Sequence, residues 1–181
     1  MNTNFHAPPM TKTHKFIIIA SISCFILGAI LKAIGAIQLS SILGLSAGGI
    51  NNGLVFQFVT YPLMETDLLP LMFNCLALWF LGYELEALWG QKKYISFLLL
   101  TTIIPGIVFY LLHLAFFYGT AVYFKPLIGL YGISMGLSVA YAILFAERYF
   151  TLMFMFPVKA KVFCFVMIAI ELYLAVFSGQ F

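Results

Sequence analysis

Five apolar stretches separated by polar breaks run along this chain. Residues 1–15 are polar and include Pro8, Pro9, Lys12 and Lys15, after which Phe16 opens an apolar run to about Ile37. A run of that length exceeds a signal-peptide core and matches the ~20 residues that cross a bilayer as a helix. From Gln38 to Asp67 the hydrophobicity breaks at Ser40, Ser41, Ser46, Gly48, Gly49, Asn51, Asn52 and Gly53. Such an irregular segment is expected at the membrane interface or against protein, because lipid cannot satisfy its backbone. Further spans are expected at about 68–88, 94–117 with a kink at Pro105-Gly106, 127–145 and 162–177.

Composition turns this pattern into a membrane assignment. The chain is 64% hydrophobic and 8% charged, far below the ~25% charged residues of an average soluble domain. Nine basic and six acidic residues, scattered in ones and twos, exclude a disordered tail and a nucleic-acid binder. The bilayer is the expected surrounding. Cys24, Cys75 and Cys164 lie far apart in apolar runs, and His6, His14 and His113 stand at no metal-ligand spacing, so neither a metal nor a cofactor is expected.

Charge also orients the expected spans. If five helices alternate, Lys12, Lys15, Lys92, Lys93, Arg148, Lys159 and Lys161 fall on one side, which makes the amino terminus cytoplasmic. Residues 1–15 are then a cytoplasmic tail and 16–181 a membrane domain. In the absence of signal or transit features, a bacterial inner membrane is the default location.

Polar residues inside the spans cluster at one depth. Asn74 lies about 10 Å into the second span and Ser134 at a similar level in the fourth, counted at ~1.5 Å per residue. Glu171 in the fifth joins that level and, as an intramembrane acid, should face protein or water. Each has a plainer reading: Ser134 bonding its own helix, Asn74 linking two helices. Gly132, Gly136 and Ala140 form an i, i+4, i+8 seam for close packing, and Pro70, Asn74, Leu78, Gly82 and Glu86 mark one interior line on the second span.

Phe56-Gln57-Phe58-Val59-Thr60-Tyr61-Pro62, the block from Phe73-Asn74 through Gly82 and Glu86 to Gly90, Gly132-Ile133-Ser134, and Phe156-Pro157-Val158-Lys159-Ala160-Lys161 occur in this order. Together they resemble the rhomboid family of intramembrane serine proteases. The resemblance implies an all-α, six-helix membrane bundle, of which this chain holds five, with Ser134 as nucleophile, Asn74 as oxyanion donor, and Gly82, Glu86, Gly132 and Gly136 as packing positions. It also implies transmembrane segments of other membrane proteins as partners.

Several residues depart from that pattern. Pro70 stands where the family places a second oxyanion histidine, Met135 where it places a glycine, Ser138 where it places an aromatic residue, and no histidine follows Ser134. A serine hydroxyl without a base is a poor nucleophile, and its loss costs on the order of 10⁶ in turnover. Three functions are therefore expected from the sequence: a pseudoprotease that engages transmembrane segments, a protease whose sixth helix lies on a further segment or partner chain, or a small transporter or channel subunit.

Overall fold

The computed structural model describes residues 10–35, 37–147, 149–152 and 156–177. Thr11 caps the first helix, α1 (Lys12–Ala33), its hydroxyl accepting from the His14 amide. The helix therefore takes in the last polar residues of the tail as its first turn. Its apolar residues are mostly exposed, as suits contact with lipid, and only His14 and Ser21 are buried.

The polar stretch that follows folds into three short helices, α2 (Leu39–Leu43), α3 (Ala47–Asn51) and α4 (Gln57–Thr60), and a 3-10 turn over Tyr61–Leu63. Gln57, fully buried, holds them together: its Oε1 accepts from the Ser46 amide and its Nε2 donates to the Ile42 carbonyl. The irregular backbone is thus satisfied against protein.

Helix α5 (Leu68–Trp89) buries Pro70, Asn74, Leu78, Gly82 and Glu86 along one line. It ends at Gly90, whose φ of 78° an L side chain would resist, and α6 (Gln91–Phe116) follows at once. Helix α6 continues through Pro105. Because proline lacks an N–H, the carbonyl of Thr101 loses its usual i+4 partner. Helix α7 (Tyr131–Leu144) lies against that spot: a Cβ on Gly132 would sit 2.6 Å from the Thr101 oxygen, and one on Gly136 2.6 Å from Thr101 Cγ2. The glycine seam is what lets α7 approach α6.

After α7 the chain makes a two-stranded antiparallel hairpin, β1 (Tyr149–Leu152) and β2 (Phe156–Lys159), and then α8 (Ala160–Phe177). The core lies between α5, α7 and α8, around Leu81, Leu85, Leu137, Tyr141 and Cys164.

The expectation of five spans is corrected to three. Among the described residues only α1, α5 and α6 are both long and apolar enough to cross a membrane. Helix α5, at 22 residues, rises about 33 Å, more than the ~30 Å hydrocarbon core. Helix α7 has 14 residues and rises about 21 Å. It starts later than its apolar pattern because Leu127 pairs with Leu45 in an isolated bridge and Gly129 turns the chain at φ 106°. In α8 the apolar helix counted over described residues is Ala160–Ile170, also short of a span.

The seam sets a stability test. Gly132→Val places a side chain against the Thr101 backbone and is expected to cost about 1–3 kcal/mol, read as a lower thermal midpoint in detergent. Gly28→Ala, whose added carbon meets only Met64 Cε at 3.6 Å, is expected to leave the midpoint unchanged.

Candidate functional site

The beginnings of α5 and α7 meet at the same end of the bundle, and there Ser134 and Asn74 come together. Both are 1% exposed. The Ser134 hydroxyl donates to Asn74 Oδ1 at 2.8 Å, and Asn74 Nδ2 donates to Glu65 Oε1 at 2.8 Å. The Leu130 amide donates to the same carboxylate oxygen at 3.2 Å. Glu65 is 2% exposed, and its Oε2 has no hydrogen-bond partner among the described residues.

The order of donors decides what this relay can do. Ser134 gives its proton to an amide oxygen, which is not a base, and the only Asn74 donor engaged here is turned to Glu65 rather than toward a reacting oxygen. His113 bonds the Phe109 carbonyl of its own helix and lies between the Phe109 and Phe117 rings. His14 sits at the far end of α5, beside Glu86. Neither histidine reaches Ser134. Glu171 lies on α8, and its side chain falls outside the described residues.

Beside Glu65 lies an open cleft of about 560 Å³ between the end of α1, the start of α2 and the loop that follows the 3-10 turn. Phe25, Gly28 and Lys32 of α1 face Leu39, Met64 and Glu65 across it. At its other end α1 is held by a polar cluster. Thr11 donates its hydroxyl to Glu86 Oε2 at 2.7 Å, so His14 Nδ1–H donates to Thr11 at 2.7 Å, and His14 Nε2 accepts from the Tyr94 hydroxyl at 2.9 Å. Gly82 makes room for this, since a Cβ there would lie 2.4 Å from the Tyr94 oxygen. Glu86 and Gly82 therefore hold α1, α5 and α6 together at that end.

Among the described residues no three His, Cys, Asp or Glu side chains gather as a metal site would need. Residues 15–180 match the family described as Eukaryotic integral membrane protein (DUF1751). The chain belongs to this family. No curated protein matches it.

Membership in DUF1751 overturns the rhomboid resemblance, and with it the six-helix bundle and the protease and pseudoprotease readings. It also replaces the bacterial inner membrane with a eukaryotic setting. The physical reason for the false likeness is that its short blocks are general solutions to packing in lipid. Small residues at i+4 let helices approach, and buried Asn, Ser and Glu bond across them. Such spacing marks a tightly packed, polar-linked helix pair without specifying chemistry.

Glu65 is the site residue that the sequence did not single out. It stands in Glu65-Thr66-Asp67, directly before α5, where an acid normally complements a helix start. Two acids there, when one suffices, were the available signal. In this DUF1751 chain burial pushes the Glu65 carboxyl up to about 7, against the downward pull of the Leu130 amide and Asn74, with a further upward push from Asp67. An unpartnered buried oxygen costs about 1–3 kcal/mol.

From its ordinary 4.5 to about 7 the folded protein keeps a proton that the unfolded chain releases, so the Glu65 contribution is full at low pH and is lost as pH rises through that window. The loss is on the order of 3 kcal/mol at most. Glu65→Gln keeps an acceptor for Asn74 and Leu130 and removes the titration. Thermal melting from pH 4 to 8 is expected to show a wild-type decline above pH 5 that is shallower in this variant.

Proposed function

We propose that this protein is a membrane-embedded binding protein that admits an amphipathic guest from the bilayer into the cleft beside Glu65. The observation that carries the reading is the cleft itself: Lys32, Glu65, Gln38, Ser40 and Thr66 share its wall with apolar and small side chains, at the end of a helix most of whose apolar residues are exposed. A simple lipid-facing groove needs no such polar groups, because charge in an apolar wall is costly unless something meets it. Ser134 and Asn74 support the wall by fixing Glu65 and perform no reaction. Held as donor and acceptor in a closed relay, they resist rearrangement.

A second occupant has an observation of its own. Gly28, Ala29 and Ala33 are small residues on the α1 side of the cleft. Small residues let another helix come close in a membrane, so a transmembrane segment of another membrane protein also suits the cleft.

A photo-crosslinking side chain placed at Leu39, in the cleft wall, tests the binding reading in native membranes. Adducts at Leu39 are expected to exceed, several-fold, those formed from Phe165, which faces outward from α8 and is 72% exposed. Equal labelling at the two positions would overturn the reading, because any lipid-facing residue would then do as well.

A further inference from the structure

We infer that the end of the bundle where α1 and α6 begin binds a phospholipid whose headgroup carries phosphate monoesters, held by Lys12 and Lys15 of α1 together with Lys92 and Lys93 of α6. This surface lies at the opposite end of α1 from the cleft and does not rest on the binding reading above.

Buried polar contacts bring the two lysine pairs together from distant parts of the sequence. His14 stands between Lys12 and Lys15, and Tyr94 directly follows Lys93. The bond between the His14 ring and the Tyr94 hydroxyl, across 80 positions, holds the first turns of α1 and α6 against each other. Nearer the surface, Gln91 Nε2 donates to the Thr13 hydroxyl at 3.4 Å. His14 and Tyr94 are fully buried, whereas all four lysines are exposed. The cluster that fastens α1 therefore sets four cations at one helix contact.

Nothing in the protein answers that charge. Among the described residues none of these lysines makes an ion pair. Three acids stand toward the same end, and each is engaged: Glu86 accepts from Thr11, Glu84 accepts from Tyr141, and Glu147 pairs with Lys159 at 3.1 Å. Residues 1–11 contain no Asp or Glu. Four like charges gathered this way repel one another and call for an anion from outside.

Placement decides the source of that anion. Helices α1 and α6 are two of the three helices long and apolar enough to cross a membrane, and the lysines occupy their first turns. A lysine there reaches the headgroup layer. Each one at such a surface strengthens attraction to anionic lipid by roughly fivefold.

Charge then selects among headgroups. A choline headgroup is neutral overall, and a serine headgroup brings an ammonium that the lysines repel. A phosphate monoester carries about 1.5 to 2 negative charges at pH 7 and accepts on three oxygens. Two pairs of lysines therefore match two monoesters on one headgroup better than a single diester.

Native mass spectrometry of the full chain, released from nanodiscs holding equal phosphatidylinositol bisphosphate, phosphatidic acid, phosphatidylinositol and phosphatidylcholine, tests the inference. Retention by the wild type is expected to rise with the number of monoesters, the bisphosphate lipid exceeding phosphatidylinositol about tenfold. Removing either pair, as Lys12→Gln with Lys15→Gln or as Lys92→Gln with Lys93→Gln, is expected to lower bisphosphate retention about tenfold. Arginine at the same positions should restore it, and Lys125→Gln, beyond the far end of α6, should leave it unchanged. Equal retention of the bisphosphate lipid and phosphatidylinositol by the wild type would overturn the inference, as would a loss on removing one pair but not the other, or an equal loss in Lys125→Gln. Soluble inositol trisphosphate retained as strongly as the bisphosphate lipid would overturn the assignment to a membrane lipid. The lipid series needs no variant, so a folding defect in any substitution leaves the inference testable.

Discussion

Asn74 is the side chain on which one end of this molecule depends. It accepts from Ser134 of α7 and donates to Glu65 of the preceding loop, so one amide ties two helices and an irregular segment together. In lipid such a group has no alternative partner in solvent, and each bond it makes is retained by the absence of competitors. The relay explains why an irregular stretch of backbone can sit against membrane helices. Glu65 is drawn in to serve Asn74 and the Leu130 amide, and its burial is the consequence.

Pro105 imposes a related constraint on the middle of the fold. Its missing N–H leaves the Thr101 carbonyl to be covered by other means, and Gly132 allows the α7 backbone to come up against it. One residue further, the Thr102 carbonyl accepts from the Tyr61 hydroxyl at 2.8 Å, which draws the 3-10 turn onto α6. The proline accounts for the close approach of α7, while the Tyr61 bond adds a second donor to a carbonyl in the neighbouring position. The glycines and the tyrosine lie far apart in sequence and meet α6 at adjacent carbonyls, those of Thr101 and Thr102.

Much of this was legible in the sequence, and the misses have physical causes. The meeting of Ser134 with Asn74 follows from counting residues at a fixed rise along two helices, which holds because α-helical rise varies little. The Gly132 and Gly136 seam and the interior line from Pro70 to Glu86 follow from 3.6-residue periodicity. The number of spans did not follow, because apolar content alone does not tell a helix that crosses lipid from one that packs against protein. Leu127 and Gly129 are apolar or neutral, yet a bridge to Leu45 and a positive φ take them out of α7. The role of Glu65 was hidden because its partners are 9 and 65 positions away and no local period connects them. The rhomboid likeness failed for the same reason in reverse: local spacing was present and the chemistry it implied depended on a distant base.

The two ends of α1 are held by opposite means. At its start a closed polar cluster of Thr11, His14, Glu86 and Tyr94 leaves no group in that chain of bonds without a partner, and Gly82 clears the space for it. At its finish Lys32 borders open volume, and the Glu65 carboxylate, buried behind the same cleft, does not pair with it. Nothing in helix propensity demands this asymmetry, since the second half of α1 is apolar up to Lys32 and could have been sealed against the loops with a few larger side chains in place of Gly28, Ala29 and Ala33. A helix fastened at one end and spaced from its neighbours at the other leaves a cleft beside the segment that carries the buried Glu65. The small residues that create the space and the relay that fixes Glu65 lie on different segments, and the cleft forms where the two meet.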